Sequence, residues 1–155
     1  MSKVKPVPDG VTPVTPYLIV RGAAAAIAFY TKAFGARERY RMPMPDGSIA
    51  HAEIEIGTAR LFLADENPAQ GAQSPQALGG SPVSFMHYVE DADRAFAHAV
   101  AAGATGVAPP MDMFWGDRWS LVADPFGHQW QIATHKEDLT PEEMQTRMAA
   151  MSAAE

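Results

Sequence analysis

An internal repeat is the feature of this 155-residue sequence that most restricts its fold. A short apolar segment ending at Val20 is followed by a small-residue helical pattern that stops at Gly35, and the same order recurs between Val89 and Gly103. The two valines are 69 residues apart and the two glycines 68, while a further pair of glycines that each precede an apolar strand pattern is 70 apart. This agreement indicates a tandem duplication of a strand–helix–strands unit. Two such modules around a shared concave surface would create a place for a ligand.

Composition changes along the chain define the boundaries of the modules. Between the repeats, the sequence loses its periodicity and becomes rich in Pro, Gly, Gln and Ser, as expected of a linker. Near the end, Thr140, Pro141 and Glu143 form the pattern of a helix start with a capping box. The predicted segments are an N-terminal arm (1–12), a single domain (13–135) made of modules 13–65 and 82–135 joined by linker 66–81, and a C-terminal helical tail (136–155).

Each module is predicted to contain a strand, a helix and three further strands. The first helix carries Ala23, Ile27, Tyr30 and Phe34 on one stripe, because their spacings of 4, 3 and 4 residues follow the helical period. The segment 51–56 alternates polar and apolar residues, so its polar set should share one face of a strand. In the second module we expect a short strand at 106–108 and a loop at 109–116.

Charge and cysteine content exclude several classes of protein. The formal net charge is −6 and Lys and Arg form no cluster, which argues against a nucleic-acid partner. The absence of cysteine excludes disulfides, thiolate metal ligands and cysteine nucleophiles. No apolar run is long enough for a signal peptide or a transmembrane helix, so we expect a cytoplasmic protein without a membrane partner.

Two βαβββ units in tandem, with Asp124-Pro125-Phe126-Gly127 before the last strand, resemble the vicinal oxygen chelate superfamily. That superfamily includes glyoxalase I, extradiol dioxygenases and the bleomycin and fosfomycin resistance proteins. The segment 114–118 (FWGDR), together with this turn, looks most like the PhnB-like branch. The resemblance implies an α+β fold in which the modules form an open, mostly antiparallel curved-sheet barrel with outer helices. It also implies a pocket on the inner faces and a homodimer.

Metal-dependent members of the superfamily carry His, Glu or Gln ligands on the first and last strand of each module. Carried onto this chain through the repeat, the four positions hold Thr15, Leu61, Ser84 and Gln131. Leu61 has no lone pair, and the neutral hydroxyls of Thr15 and Ser84 are poor ligands for a divalent metal. We therefore expect no metal cofactor, and the metal-assisted chemistry of the superfamily is in doubt for this chain.

The predicted pocket combines aromatic and thioether side chains with a few polar groups. The expected ligand-binding residues are Tyr17, Met86, Tyr88, Phe114, Trp115, Arg118 and Gln131. Arg118 is equally well interpreted as a structural partner of Asp117 or Asp124. His51 and Glu53 are the candidates for a general base, with a solvated strand face as the alternative. His128 is interpreted as a hydrogen-bonding turn residue, and His135 as the start of the tail.

Three functions are compatible with these features. The first is a metal-free protein that binds a small organic molecule in the barrel pocket. The alternative is an enzyme of the same superfamily, of lyase, isomerase or dioxygenase type, that has a displaced metal site or a Glu/His base. The third is a role in assembly without ligand chemistry, since a homodimer is expected in any case.

Overall fold

The first module forms one open four-stranded sheet with a helix against it. The computed structural model describes residues 4–153. The elements are β1 (Tyr17–Val20), α1 (Ala23–Phe34), β2 (Arg37–Pro43), β3 (Ile49–Ile56) and β4 (Ala59–Asp65). The strand order is β1-β4-β3-β2; β1 and β4 are parallel and the other pairs antiparallel.

The second module repeats this topology. Its elements are β5 (Ser84–Tyr88), α3 (Ala92–Ala102), β6 (Thr105–Asp112), β7 (Asp117–Ala123) and β8 (Gln129–His135). The order is β5-β8-β7-β6, again with one parallel pair. The predicted α+β class is confirmed, since the structure consists of two open four-stranded mixed sheets with helices.

Helix α1 forms because its apolar stripe is buried and both of its ends are marked by glycine. Ala23, Ile27 and Tyr30 are buried as the spacing predicts, and Phe34 at the end is half-buried. Gly35 ends the helix in the left-handed region at φ 67°, and its N–H donates to the Thr31 carbonyl. A residue with a Cβ would be strained in that conformation, so the helix stops there.

One face is buried on β1, β3, β4, β7 and β8, whereas β2, β5 and β6 have no fully buried side chain. On β3, Ala52, Ile54 and Ile56 are buried, while His51 and the two glutamates of the strand are only half-buried. The same alternation in the second sheet buries Val122, Trp130 and Ile132. The opposite faces therefore carry the side chains available to a ligand.

The turn between β7 and β8 belongs to the same compact unit as the first module. One unit runs through Ser81 and includes Pro125–His128, and the other contains Pro82–Asp124 and continues from Gln129. Phe126 is buried against Phe29 and Tyr30, with ring centroids 6.2 Å from each. His128 is the predicted hydrogen-bonding turn residue, with Nε2 3.0 Å from the Ile19 carbonyl oxygen.

One loop prediction is wrong in detail. β6 extends to Asp112 and includes Pro109 and Pro110, which the sequence placed in a loop. Proline is tolerated there because β6 is an edge strand of the sheet. The linker contains a 3₁₀ turn (Pro68–Gln70) and the one-turn helix α2 (Pro75–Leu78).

The described parts of the two chain ends, residues 4–12 and 136–153, differ in secondary structure. Residues 4–12 contain no helix or strand, and the first three and last two residues of the predicted arm and tail lie outside the described range. Helix α4 (Pro141–Ser152) begins with the predicted capping box, in which the Glu143 N–H donates to Thr140 Oγ1 and the Thr140 N–H to Glu143 Oε2. Within residues 4–153, no helix has both the length and the apolar character needed to cross a bilayer.

Replacing Phe126 with alanine is expected to lower the free energy of unfolding by about 3 kcal/mol, because it removes a buried ring that packs on two aromatic side chains of α1. Urea denaturation followed by circular dichroism measures this loss. Leu78→Ala in α2 is the control, because Leu78 is 65% exposed and little free energy should be lost. Equal losses in the two variants would contradict the proposed packing role.

Candidate functional site

The second sheet has one face on which most side chains are exposed or half-buried, and we call it the second-sheet face. Strand pairing aligns Met86 with Gln131 and Leu121, and Tyr88 with Ala133 and Trp119. At the end of the β7–β8 pair, Asp117 lies opposite His135. The second-sheet face consists of Ser84, Met86, Tyr88, Asp117, Trp119, Leu121, Gln131, Ala133 and His135.

The corresponding side of the first sheet, the first-sheet face, is more polar. Tyr17 of β1 pairs with Phe62 of β4, which in turn pairs with Glu53 of β3. His51 lies two residues before Glu53 on β3 and therefore on the same face, and its ring centroid is 5.0 Å from that of Phe62. The first-sheet face consists of Tyr17, Tyr40, His51, Glu53, Glu55, Arg60 and Phe62.

The strand registers correct one of the four metal-ligand positions inferred from the repeat. Met86 pairs with Gln131 in the second sheet, and its repeat counterpart Tyr17 pairs with Phe62 in the first. The position equivalent to Gln131 is therefore Phe62, and not Leu61. Leu61 lies opposite Ile54 and is 5% exposed, so it belongs to the buried face. A phenylalanine has no lone pair for a metal either.

The remaining positions form hydrogen bonds within the protein. Thr15 Oγ1 donates to the Thr12 carbonyl oxygen at 2.8 Å, just before β1 begins. Gln131 Nε2 donates to Ser84 Oγ at 2.7 Å, while Gln131 Oε1 accepts from Trp119 Nε1 at 2.8 Å. Both ends of the amide are thus engaged by neutral partners, and the donor set does not fit a divalent metal.

No cluster of three or more His, Asp or Glu side chains is arranged to hold a metal ion in the described part of the chain, residues 4–153.

A buried carboxylate organises one end of the second-sheet face. Asp117 is 4% exposed, and its Oδ2 accepts hydrogen bonds from Tyr88 Oη at 2.9 Å and from Trp115 Nε1 at 3.1 Å. Its Oδ1 accepts from His135 Nδ1 at 2.9 Å. Three donors therefore stabilise the buried charge and fix the rings of Tyr88 and Trp115 beside one another.

A tight turn places Asp117 there. Gly116 has φ 96°, and a Cβ at this position would lie 2.6 Å from the Glu137 carbonyl oxygen. The Gly116 carbonyl accepts from the N–H groups of Lys136 and Glu137 at 2.9 and 3.0 Å. Only glycine permits this close approach, which joins the start of β7 to the end of β8.

His135 connects the buried carboxylate to the solvent. Its Nε2 lies 3.0 Å from Asp138 Oδ1, and its Nδ1 contacts Asp117. Hydrogen bonds to Asp138 and Asp117 raise the pKa of His135 above its ordinary value, because both carboxylates favour the charged imidazolium. The hydrogen bond to Asp117 likewise raises the pKa of Tyr88.

These groups line a cavity of about 290 Å³ in which aromatic, apolar and acidic surfaces meet. The cavity residues are Tyr88, Trp115, Asp117, His135, Glu137, Asp138, Leu139 and Met144. The sequence placed Tyr88 and Trp115 in a pocket but missed Asp117, Asp138 and His135 as site residues. The available signal was the parity of β7 and β8, which puts residues 117 and 135 on the same face.

Three other predicted ligand-binding residues lie in the second module but are not among the residues that line this cavity. Phe114 packs edge-on against Trp115, with ring centroids 5.0 Å apart and an interplanar angle of 88°. Met86 is 44% exposed on the second-sheet face, and Gln131 is the paired amide beside it.

Arg118 does not lie on the second-sheet face. Its Nε and Nη2 donate to Asp93 of α3 at 2.8 Å each, and its Nη1 lies 3.4 Å from Asp112. Strand alternation explains this orientation, because Arg118 has the parity of the buried residue Ser120. The predicted partners Asp117 and Asp124 are therefore wrong: Asp117 has the opposite parity, and Asp124 accepts from Trp130 Nε1 at 3.0 Å.

The candidate bases on the first-sheet face have specific partners. His51 Nδ1 is 2.7 Å from Tyr17 Oη, and Glu53 Oε2 accepts from Arg60 Nη1 at 2.7 Å. Arg60 also reaches Glu55, whose pKa is lowered, chiefly by its hydrogen bond from Arg37. The two glutamates are thus held by cations, and Glu55 does not have the raised pKa that repulsion between two carboxylates would produce.

This geometry defines a class of protein: a tandem pair of βαβββ modules whose sheets each carry one face of polar and aromatic side chains. The family model "Glyoxalase/Bleomycin resistance protein/Dioxygenase superfamily" matches residues 11–132. The chain therefore belongs to this superfamily, and the predicted resemblance is confirmed.

Individual relatives agree with this assignment. An uncharacterized protein of Mycobacterium bovis is 42% identical over 139 residues, covering 88% of this chain and 91% of that protein. The crystal structure of an Arabidopsis thaliana gene product has a TM-score of 0.66 at 29% identity, covering 79% of this chain and 98% of that one. A PhnB protein from Bacillus cereus shares the fold, with a TM-score of 0.63 at 18% identity, covering 79% and 99% of the two chains.

The titration of His135 provides a test of the carboxylate cluster. We expect its midpoint, followed by NMR of the imidazole Cε1 proton, to lie above 6.5, and Asp138→Asn to lower it. Because the folded-state pKa is raised, the stabilisation from charged His135 is fully present below pH 6.5 and lost as the pH rises through the higher value. His87 is the internal reference, since burial lowers its pKa. A His135 midpoint no higher than that of His87 would contradict the assigned contacts.

Proposed function

We propose that this protein binds a small organic molecule on the second-sheet face without the help of a metal ion. The observation that carries the proposal is the Trp119–Gln131–Ser84 hydrogen-bond chain, in which the amide at a ligand position of the superfamily is engaged by neutral protein groups. A protein that used this position for a metal would need its amide oxygen free to coordinate.

The side chains around that chain suit an apolar or planar ligand. Met86 and Tyr88 are 44% and 56% exposed, and Trp115 and Trp119 are half-buried beside them. Exposed aromatic and thioether groups of this kind lose unfavourable contact with water when an organic ligand covers them. The cavity of about 290 Å³ is large enough for a single ring with a short substituent.

The acidic end of the face favours a ligand with a positive charge. Asp117 and Asp138 lie on either side of His135, and Tyr88 and Trp115 supply ring faces on which an ammonium group gains cation–π attraction. The proposed ligand class is therefore a small aromatic or aliphatic cation with an apolar body. The absence of cysteine in the sequence supports a cytoplasmic setting for this binding.

We also propose that the protein works as a homodimer. Exposed apolar side chains on the strands of the second module support an interface with a second copy, since they include Met86 at 44%, Val107 at 51% and Met111 at 40% exposure. Binding and dimerisation are compatible, because a partner can cover part of such a surface and leave the cavity open.

Ligand binding is tested by tryptophan fluorescence with benzyltrimethylammonium as the probe, and with benzyl alcohol and benzoate as neutral and anionic controls. The cationic probe should quench the fluorescence at lower concentration than the controls. Trp115→Leu should weaken binding of benzyltrimethylammonium about fivefold, because one cation–π contact of ~1 kcal/mol is lost. Affinity should be the same with and without a chelator.

A control variant distinguishes binding at this site from non-specific binding of the probe. Asp112→Asn removes a carboxylate that accepts from Arg118 on the other side of the sheet, so it should leave the affinity unchanged. The proposal is wrong if the complete panel changes neither the fluorescence nor the melting temperature. A requirement for added Ni²⁺, Zn²⁺, Mn²⁺ or Fe²⁺ would instead favour a metal-dependent activity.

The dimer is tested by sedimentation equilibrium, for which we expect a mass of twice 16.7 kDa at micromolar concentration. Met86→Glu places a charge on the exposed apolar surface and should shift the distribution toward the monomer. Glu142→Gln in the exposed first turn of α4 is a charge-changing control that should not. A wild-type protein that sediments as a monomer up to 100-fold higher concentration would rule the dimer out.

A further inference from the structure

Tyr17 and His51 form a phenol–imidazole pair on the first-sheet face. The distance from Tyr17 Oη to His51 Nδ1 is 2.7 Å, and Tyr17 is 49% exposed. The imidazole packs between two aromatic rings, with centroids 5.0 Å from Phe62 and 6.2 Å from Tyr40. The pair is therefore fixed in position, while the phenol remains accessible from solvent.

The surroundings of His51 favour the tautomer that makes it a base toward Tyr17. Its Nε2 lies 3.5 Å from Glu53 Oε1, and a carboxylate is only an acceptor. A proton on Nε2 is attracted to Glu53, which leaves the Nδ1 lone pair to accept the hydrogen bond from the Tyr17 hydroxyl. Arg60 Nη1 donates to the other oxygen of Glu53 at 2.7 Å and holds this carboxylate in place.

We propose that Tyr17 Oη is a nucleophile that accepts an acyl group from an activated acyl compound, with His51 as its general base. A bond forms between Tyr17 Oη and the acyl carbon, and the bond from that carbon to the leaving group breaks. The phenol proton moves to His51 Nδ1 and from there to the leaving group, so that His51 returns to its neutral form. Glu53 stabilises the imidazolium while it exists.

A base is needed because the phenol is protonated at rest. Burial raises the pKa of Tyr17 above its ordinary value, so very little phenolate is present near neutral pH. Proton removal during the attack avoids this cost, as it does for a hydroxyl nucleophile paired with histidine. This activity is separate from binding at the second-sheet face and does not depend on it.

The other tyrosines of the chain provide internal comparisons. Tyr40 is 50% exposed on the same sheet, and its hydroxyl has no hydrogen-bond partner among residues 4–153. Tyr88 is 56% exposed, but its hydroxyl donates to a carboxylate, which is a much weaker base than imidazole. Tyr30 is fully buried. Exposure alone would therefore make Tyr17, Tyr40 and Tyr88 equally reactive.

The experiment treats the folded full-length protein with substoichiometric N-acetylimidazole near pH 7.5 and measures O-acetylation of each tyrosine by peptide mass spectrometry. We expect Tyr17 to react at least tenfold faster than Tyr40 and Tyr88, and hydroxylamine to reverse the modification. His51→Asn should reduce the rate at Tyr17 to that of Tyr40. His98→Asn, at an exposed position on α3, is the matched control and should change nothing.

Equal rates at Tyr17, Tyr40 and Tyr88 in the wild type would overturn the proposal, and this comparison does not depend on any variant folding. A fast Tyr17 that is unchanged in both His51→Asn and His51→Gln would also overturn it, because His51 would then not be the base. Since N-acetylimidazole is the probe, neither result depends on whether a cation binds at the second-sheet face.

Discussion

The alternation of side chains along strands that have one buried face is the constraint on which the rest of this structure depends. A strand places successive residues on opposite faces, so burying Ile54, Leu61 and Leu63 leaves Glu53 and Phe62 on the other face. The parallel pairs β1–β4 and β5–β8 then fix which exposed residues become neighbours. The contacts between strand residues on the two faces, such as that of Tyr17 with His51, follow from these registers.

The duplication allows two equivalent positions to carry different chemistry. Phe62 and Gln131 occupy the same place in their sheets, yet one supports the ring of His51 and the other joins Trp119 to Ser84. The buried faces must keep their apolar packing, whereas exposed positions are free to diverge. This difference explains why the modules retain one topology while the first has a phenol–imidazole pair and the second a carboxylate cluster.

The sequence predicted whole elements better than individual contacts. The stripe on α1 and the capping box of α4 depend on local spacing, and both were found. Leu61 was misassigned by one residue because the repeat has small length differences that only hydrogen-bond pairing resolves. Arg118 was predicted to be either a pocket residue or a structural partner of Asp117 or Asp124, whereas strand parity turns it toward Asp93 of α3.

By itself, the sequence determined the two-module α+β topology and the family, since these depend on periodicity and on the order of the modules. Tertiary structure decided which polar groups meet. Asp117 and His135 are 18 residues apart in the chain, and Tyr17 and His51 are 34 apart. Such pairs form only when strand register brings distant residues together, and a long-range register depends on the packing of the complete buried face, which no local pattern contains.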